Sequence, residues 1–581
     1  MRDQAEIIFV KIEKMKKRVL YFLLGLAFIL SSWPIFHQGF FKIHDFTHGA
    51  RIAEMTLAIK DGHFPVRWTQ HFGYGYGMPL FEFYGPLPFY VGSLFYWLTN
   101  NLVLSIKLLY GLTNLLTLVG SYLLGKKLFK NKTGGIVVGL AYTLAPYRAL
   151  NLYIRGALSE AWGMMAYPWI VWGMIKIINK EKNGWLMTTL SLSVLFLSHN
   201  ISIMLAAPFI TGFMFVYWLF NRPKTKKKNK QILVLISSSL LAVGLSAFYL
   251  IPAFFEKDLT QVSDFILSDY FNYRLHFLYL RQFIKSTWGF GGSEWGPNDP
   301  ISFFLGYGQI FLISTGLILL IKSAISSFRK KQFNRNLFLG LSLLFIIVLA
   351  LFFTTEKLLF AWDKISLLKF IQFPWRFLSI ASFFIALFCG WVIISIKKKS
   401  GSQLDYLGLL LISITTLIMN AVFFRPEEFL VEPENIYYSN PDKISRLMSS
   451  ILPDYLPTTL DKDIEPAEQL IFTILDEDEL EILVNRTHEK LVKTNFEDTK
   501  NVVFSLAYYP GWQAWINHES TEIITTEQGL IQITIPAGEQ LIGLIFKSTP
   551  IRFYSDLVSL MSLMILLTLL FINHKSLRKK A

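Results

Sequence analysis

The sequence predicts a polytopic α-helical membrane protein with a β-rich domain near its C-terminus. Of its 581 residues, 53% are hydrophobic and 17% are charged, and the mean hydropathy is +0.42. Soluble proteins have about 25% charged residues, so this composition excludes a disordered chain and argues against an ordinary cytosolic enzyme. Apolar stretches of the length that a bilayer requires, about 20 residues, recur along the chain. Residues 427–500 differ, with 18 Asp and Glu against 7 Lys and Arg.

The placement of the positive charge supports this topology. The net charge of +15 would also suit a nucleic-acid-binding protein. The basic residues, however, cluster in short segments between apolar stretches, at 1–18, 126–132, 176–182, 222–230, 322–335, 397–399 and 575–580. Because Lys and Arg in short loops mark the cytoplasmic side of membrane proteins, no nucleic-acid partner is expected. The single cysteine, Cys389, lies in an apolar stretch, which excludes a disulfide framework and a cysteine-ligated metal cluster.

Twelve membrane spans account for the apolar stretches. They are predicted near 19–36, 104–125, 134–150, 160–178, 184–199, 203–220, 231–252, 303–321, 336–354, 375–396, 405–424 and 555–573. With the N-terminus in the cytoplasm, this order places both termini and every basic segment there, and a bacterial plasma membrane is the expected location. The first span lacks a small-residue cleavage site and is expected to remain as an anchor. The apolar segment 86–98 is too short to span, and we predict an interfacial or re-entrant helix on the extracytoplasmic face.

These spans divide the chain into a transmembrane domain (1–424), an extracytoplasmic β domain (425–554), and a last span with a basic cytoplasmic tail (555–581). Two further extracytoplasmic segments are long: the first long loop (37–103) and the second long loop (253–302). Connections of this length usually carry function. All lie on one side, so we expect chemistry there, where ATP and nucleotide sugars are absent. In the β domain, alternating segments such as NVVFSLAYYPGW and GLIQITIP predict strands, and we expect a modest β-sandwich.

The first long loop contains a predicted helix over 46–60. Asp45 stands where an N-cap is expected and Gly62 where a C′ residue is expected. Ile52, Met55 and Ile59 recur at helical spacing and predict an apolar face that lies on the membrane.

An unusual group of polar residues surrounds the start of this helix, namely His44, Asp45, His48 and Arg51. One interpretation is that Asp45 only caps the helix. A second is that Asp45 is a catalytic general base for a lipid-borne substrate, since a hydroxyl nucleophile needs an adjacent base. A third is a metal ligand, which we regard as the weaker use because HDFTH lacks a specific ligand spacing.

Four ionisable residues lie at the predicted extracytoplasmic ends of spans, and such residues are functional candidates in a membrane protein. They are Arg155 and Glu160 in NLYIRGALSEAWG, His199 in FLSHN, and Arg376 in FIQFPWRF. For His199, a satisfied hydrogen bond between helices is the favoured interpretation.

Arginine suits a lipid phosphate because its planar guanidinium donates two hydrogen bonds at once. Arg155 and Arg376 are the first candidates for this role, with Arg51 and Arg67 behind them. The structural alternatives are that Arg155 pairs with Glu160 and that Arg376 extends to the interface.

The second long loop gives a weaker signal. Its sequence KSTWGFGGSEWGPNDP combines glycines, tryptophans and acids in the manner of a sugar-facing loop. Glu294 and Asp299 could bind sugar hydroxyls, although both also suit turns.

A family resemblance is carried by HDFTHGARI and FPVRWTQHFGYGYGMPLFEFYGPLPFY in the first long loop, and by RGALSE, LSHN, QFPWRF, DYLP (454–457) and YYPGWQAWINHE. These blocks resemble the YfhO-like and "6-pyruvoyl-tetrahydropterin synthase-related" bacterial membrane proteins. Both groups resemble the GT-C superfamily of glycosyltransferases, which use polyprenyl-phosphate sugars. That superfamily has an essential acidic residue near the end of the first span and two helices along the membrane. Asp45 matches the acidic position, and 46–60 and 86–98 match the helices.

The resemblance implies a GT-C-like glycosyltransferase of the cell envelope. A sugar would pass from a polyprenyl-phosphate donor to a hydroxyl of a glycan, lipid or protein acceptor on the extracytoplasmic face, with inversion at the anomeric carbon. Asp45 would accept the hydroxyl proton while arginines hold the departing phosphate. The resemblance does not assign roles to the span-end blocks. From their position on the same side as Asp45, we predict that the four span-end residues named above bind substrate together with His44, His48 and Arg51. No soluble cofactor is expected, and a divalent metal at Asp45 is the alternative.

Two competing functions remain at this point, a non-catalytic scaffold for envelope assembly and a lipid or glycan transporter. Transporters usually show paired repeats with broken helices near the midplane of the membrane. The sequence shows no such repeat, and its ionisable residues lie at one surface instead.

Overall fold

The structure, a computed structural model, describes residues 18–221, 229–262, 269–285, 288–332, 334–399, 403–433, 438–451, 453–468 and 480–578. The basic segments predicted at 1–18 and 222–230 therefore lie almost wholly outside the described residues. Within those that are described, helices dominate from residue 18 to residue 423, and strands dominate from 480 to 546.

Eight of the described helices are long and apolar enough to cross a membrane. They are Arg18–Phe36, Leu102–Phe129, Asn200–Asn221, Tyr307–Lys330, Arg335–Phe353, Pro374–Lys397, Tyr406–Phe423 and Pro550–Asn573. The helices Lys230–Leu245 and Ala247–Phe255 would form a ninth span if taken together, but they are bent by 73°. The remaining helices include Lys132–Thr143, Pro146–Tyr153, Leu158–Ile178 and Gly184–Ser198. The polytopic helical fold is confirmed, whereas the count of twelve spans stays a prediction.

One predicted span, 134–150, is not a continuous helix. The helix Lys132–Thr143 ends, and Pro146 begins the next helix at its first position. Ala145 between them has φ −66° and ψ 130°. Proline has no N–H to donate and keeps the preceding residue out of the helical region, which explains the break.

The helix Pro374–Lys397 is the centre of the transmembrane domain. Its most apolar window is completely buried, unlike those of its neighbours. Two glycines on adjacent helices allow this close packing: a Cβ on Gly316 would lie 2.4 Å from Phe388, and one on Gly340 would lie 2.4 Å from Trp391. The neighbouring helices therefore approach the central helix at glycine contacts.

The first long loop contains the helices His48–Lys60, Leu80–Phe83 and Leu87–Thr99. Thr47 occupies the N-cap position of the first of them, so the prediction that Asp45 is the N-cap is wrong. Asp45 instead accepts a hydrogen bond from the Thr47 hydroxyl at 2.9 Å. Gly62 follows the C-cap Asp61 with φ +89°, as predicted for C′.

The apolar face of His48–Lys60 packs inside the protein. Ile52 and Met55 are fully buried, and Ile52 contacts Leu87–Thr99 where Gly92 leaves space for it. Only Ile59 is exposed. The prediction that this face lies on the membrane is wrong for Ile52 and Met55, because the helix predicted over 86–98 covers them.

The β domain contains two antiparallel sheets. One holds β3 (Leu480–Arg486), β4 (Glu489–Phe496), β10 (Gly538–Phe546), β6 (Trp512–Ile516) and β7 (Glu519–Thr521) in that order. The other holds β5 (Lys500–Ala507), β9 (Leu530–Ile535) and β8 (Ile524–Thr525). Alternate residues are buried, as in β4 and β9, so the strands predicted from alternation are confirmed.

Backbone hydrogen bonds join the β domain to the first long loop. Its segment β2 (Phe429–Leu430) pairs with β1 (Phe40–Phe41). Further along, Ala467 N–H donates to Tyr74 O at 2.9 Å and Ala507 N–H donates to Tyr76 O at 2.8 Å. The two regions are therefore one packed unit.

A buried ion cluster completes this connection. Arg552, at the start of the last helix, lies with its Nε 3.0 Å from Glu82 Oε2 and 2.8 Å from Glu256 Oε2. Tyr509 of the β domain donates to Glu82 at 3.2 Å. Burial raises the pKa of Glu82 well above its usual range, and a hydrogen bond with Glu256 adds to this effect although Arg552 opposes it. The cluster joins the first and second long loops to the last helix and the β domain.

We predict that Arg552→Met destabilises the protein strongly, by about 3–5 kcal/mol, because it leaves buried carboxyl groups without their cation. The apparent melting temperature in detergent should fall by several degrees. A second change, Glu256→Gln in the same chain, should restore part of the loss, since it removes the unpaired charge.

The matched control is Lys493→Met, which removes an ion pair with Glu539 at the surface of the β domain. Exposed pairs of this kind add little to stability, so the melting temperature should not change. Equal losses for both variants would contradict a special role for the buried cluster.

Candidate active site

A cavity of about 400 Å³ lies where the first long loop, several helix ends and the β domain meet. It is lined by three arginines, three carboxylates and two imidazoles, namely Arg51, Arg155, Arg376, Asp45, Glu160, Asp454, His44 and His199. Seven of these eight residues are among those predicted from the sequence. The structure thus brings together residues that are far apart in the chain.

Backbone hydrogen bonds hold Asp45 in the cavity wall. The N–H groups of His44 and Asp45 donate to the carbonyl oxygens of Ile154 and Arg155, both at 2.9 Å. The Asp45 carboxylate accepts from Thr47 and, at 3.2 Å, from Arg51. Burial raises its pKa, but the charge of Arg51 and these hydrogen bonds outweigh that effect and hold the pKa at about 2. Asp45 is therefore ionised at every physiological pH.

Arg51 is almost fully buried and faces the cavity from the helix His48–Lys60. Its guanidinium lies 4.3 Å from the centre of the Tyr84 ring and donates to the Tyr84 hydroxyl at 3.1 Å. Its Nε has no hydrogen-bond partner among the described residues. Arg51 retains a donor that a ligand could use.

His48 does not line the cavity. Its Nδ1 accepts from Arg51 at 3.3 Å, and its Nε2 donates to the carbonyl oxygen of Gly156. His48 therefore positions Arg51 without lining the cavity itself. This position does not match the prediction that His48 contacts substrate.

Glu160 is the centre of a second ion cluster. It accepts hydrogen bonds from Tyr147 at 2.7 Å, Asn151 at 3.0 Å and Arg155 at 2.8 Å. The Nε of Arg376 lies 3.8 Å away from the same carboxylate. The Arg155–Glu160 pair foreseen as an alternative is present, yet one carboxylate faces two guanidinium groups. One positive charge in this cluster lacks a counter-charge.

Arg376 is held rigidly in the cavity wall. Its Nη1 donates to Ile371 O at 2.7 Å and to Gln372 Oε1 at 3.1 Å, while its Nε has no hydrogen-bond partner among the described residues. Because the side chain is buried, the alternative that Arg376 extends to the membrane interface is wrong. Arg155 is fixed similarly, 4.5 Å over the ring of Trp375.

The two cavity histidines make ordinary hydrogen bonds. His44 Nε2 donates to Phe290 O at 2.8 Å. His199 Nδ1 accepts from the N–H of Ser202 at 3.2 Å and lies 2.8 Å from its hydroxyl. This fits the interpretation of His199 as a satisfied polar residue and assigns its proton to Nε2.

Three weaker candidates lie outside the cavity lining. Arg67 pairs with Asp556 of the last helix at 2.5 Å. Asp299 accepts from Gln282 at 2.6 Å and from the N–H of Glu294 at 2.7 Å, which is a turn-forming role. The sugar-binding alternative for Glu294 and Asp299 therefore has no geometric support.

Sequence reasoning missed Asp454 as a cavity residue. The segment DYLP contributes to the family resemblance, but nothing in its composition predicts a functional site. Asp454 comes from the β domain, next to Tyr455, whose ring lies 6.1 Å from that of Tyr84. Burial raises the pKa of Asp454 to about 6, although Arg51 opposes the effect.

In the part of the chain that the structure describes, no group of three or more His, Cys, Asp or Glu side chains is arranged to hold a metal ion. The use of a divalent metal at Asp45 stays an untested alternative.

Comparisons with known proteins agree with the sequence blocks. An uncharacterized protein of Lactococcus lactis subsp. cremoris is 28% identical over 250 residues, which is 42% of this chain and 40% of that protein. This match covers less than half the length of the relative.

Three solved structures are similar to parts of this chain. Arabinofuranosyltransferase AftD from Mycobacteria is 12% identical with a TM-score of 0.39, over 70% of this chain and 28% of that one. The oligosaccharyltransferase of Archaeoglobus fulgidus, in complex with Zn and sulfate, is 14% identical with a TM-score of 0.39, over 70% and 53%. ArnT from Cupriavidus metallidurans, bound to undecaprenyl phosphate, is 11% identical with a TM-score of 0.37, over 68% and 62%.

A family model described as the 6-pyruvoyl-tetrahydropterin synthase related domain, a membrane protein, matches residues 81–425. This range covers more than half of the chain. It includes four of the eight charged or imidazole residues of the cavity, namely Arg155, Glu160, His199 and Arg376. The family resemblance identified from the sequence is confirmed, and the chain belongs to the 6-pyruvoyl-tetrahydropterin synthase related family of membrane proteins.

Proposed function

We propose that this membrane protein is a glycosyltransferase of the cell envelope. It transfers a sugar from a polyprenyl-phosphate donor to a hydroxyl of a glycan, lipid or protein acceptor on the extracytoplasmic face of the plasma membrane. The sequence resemblance to the GT-C superfamily supports this reaction class, as an analogy of fold and motif. The cavity supports it independently, through its charges and its size.

The observation that carries the proposal is the excess positive charge beside Glu160. Arg155 and Arg376 are both buried, and they share this one carboxylate. A phosphodiester donor brings one negative charge, and the departing polyprenyl phosphate gains a second as the bond to the sugar breaks. A fixed cation in a water-poor cavity stabilises that growing charge more than it stabilises the donor, which lowers the barrier.

Asp45 lies in the same cavity as these arginines and is permanently ionised. A carboxylate here can accept a hydrogen bond from the attacking hydroxyl and stabilise positive charge at the anomeric carbon. The cavity volume of about 400 Å³ falls in the range of small-molecule sites, about 300–1,000 Å³, and suits a sugar phosphate whose lipid chain lies along the helices.

We predict that Asp45→Asn reduces sugar transfer by about 100-fold or more, because a charge that stabilises the transition state is lost. The assay uses the purified full chain in lipid nanodiscs, undecaprenyl-phosphate hexose labelled in the sugar, and envelope extract as acceptor. Transfer is followed as label in the acceptor fraction and as released undecaprenyl phosphate.

The control is Asp363→Asn, which changes an aspartate paired with Arg274 outside the cavity, and it should transfer at the wild-type rate. Absence of transfer by the wild type with a panel of hexose donors would overturn the proposal in favour of a scaffold or a transporter. Equal transfer by wild type and Asp45→Asn would retain the enzyme and remove Asp45 from its centre.

We predict that Arg376→Gln weakens binding of undecaprenyl phosphate by about 10- to 100-fold, the usual worth of a hydrogen bond to a charged group. Binding is measured by displacement of a fluorescent lipid phosphate from protein in nanodiscs. Arg274→Gln, which alters an exposed arginine away from the cavity, is the matched control and should bind normally. Unchanged affinity for Arg376→Gln would remove this arginine from the phosphate site.

A further inference from the structure

The cavity contains a carboxylate to which the mechanism above gives no role. Asp454 lines the cavity together with Asp45, Arg51 and Glu160, but it belongs to the β domain. Asp45 and Glu160 each accept hydrogen bonds from side chains and pair with arginine. Among the described residues, no side chain donates a hydrogen bond to Asp454. It differs in this from the other two cavity carboxylates, Asp45 and Glu160.

The segment that carries Asp454 is fixed by its own contacts. Gln261 N–H donates to Leu456 O at 3.0 Å, and Thr458 N–H donates to Leu259 O at 3.0 Å. The Gln261 side chain also donates to Pro457 O at 3.2 Å. These bonds join the segment to the second long loop, so the carboxylate is held at the cavity by a rigid backbone.

Two aspartates in one cavity thus have opposite environments. Asp45 has a pKa of about 2, which makes it a weak base, whereas Asp454 has a pKa of about 6. A proton acceptor works best when its pKa lies close to the working pH. Pairs of carboxyl groups whose environments separate their pKa values commonly divide the acid and base roles.

We propose that Asp454 is the catalytic base, and that Asp45 orients the acceptor hydroxyl and stabilises charge without taking its proton. This inference rests on the proposed glycosyl transfer and adds a residue to it. The β domain then contributes to the chemistry and is more than a cover or a binding module.

The proposed step balances as follows. The acceptor oxygen forms a bond to the anomeric carbon, and the bond between that carbon and the phosphate oxygen breaks. The electron pair leaves with the phosphate, beside Arg155 and Arg376. The hydroxyl proton moves to an oxygen of Asp454. No oxidant, reductant or further reactant is required.

The charged and titratable groups that face Asp454 are Arg51 from the helix His48–Lys60, Tyr84 from the first long loop, and the adjacent Tyr455. The ionised carboxylate is the active form, so the rate should rise with pH up to about 6 and then level off. Below that pH, the rate should fall about tenfold per unit, because the ionised fraction of the carboxyl falls by that factor.

The test measures single-turnover transfer from undecaprenyl-phosphate hexose between pH 4.5 and 8.5 with the full chain in nanodiscs. We expect Asp454→Asn to be at least about 100-fold slower than wild type at pH 7.5 and to lose the acidic limb. Asp454→Glu should recover part of the rate and keep a limb. Asp45→Asn should be slower than wild type, and both Asp45→Asn and His44→Gln should keep the limb near pH 6. Asp363→Asn, which lies outside the cavity, should transfer at the wild-type rate and keep the limb.

A second readout does not depend on activity. The folded protein holds the pKa of Asp454 above its usual value, so ionisation disfavours the folded state as the pH rises. Asp454→Asn should therefore melt higher than wild type at pH 8, with a difference that grows between about pH 4 and 6. Undecaprenyl phosphate should bind to this variant normally.

Three results would overturn the inference. Wild-type transfer rates in Asp454→Asn would remove the base but leave the glycosyltransferase. An acidic limb that persists in Asp454→Asn and disappears in His44→Gln would assign the proton to His44 instead. Lack of transfer by the wild type would end the proposed function, and this inference with it.

Discussion

The pairing of Arg552 with Glu82 and Glu256 is the interaction on which the cavity depends most. These three side chains connect the last helix to both long loops, and Tyr509 adds the β domain to the same cluster. A guanidinium buried with carboxyl groups is costly to form but more costly to break, since any unpaired charge would remain out of water. The loops that carry the cavity residues are thereby fixed relative to the helices.

In the cavity, the buried charges are paired incompletely, and this gives the cavity its chemical character. Around Arg552, carboxyl groups outnumber the cation, and burial raises the pKa of one of them, Glu82. Around Glu160, guanidinium groups outnumber the carboxylate, and arginine cannot release its proton at physiological pH. The raised pKa of Glu82 favours proton uptake at the first cluster, whereas the guanidinium groups of the second cluster stay charged. The first cluster joins the two long loops to the last helix, and the second gives the cavity the positive charge that suits the proposed phosphate donor.

Much of this site could be predicted from the sequence, because ionisable residues at span ends are rare enough to stand out. Arg155, Glu160 and Arg376 stand out on that basis, and all three line the cavity. Pro146 indicates the helix break within 134–150, which the prediction of a continuous span did not take into account. Asp454 could not be found in this way, since acidic residues are common in residues 427–500. Its environment depends on packing against the first long loop. The burial of Ile52 could not be predicted either, because it depends on contact with the helix Leu87–Thr99.

The separation of Glu82 and Arg552 along the chain has a consequence for biogenesis. During synthesis, Glu82 emerges early, while its cation emerges only with the final helix. The cavity also lacks Asp454 until the β domain has been made. A nascent chain can therefore insert most of its helices without an assembled centre, and insertion of the last helix is the event that locks the two long loops in place.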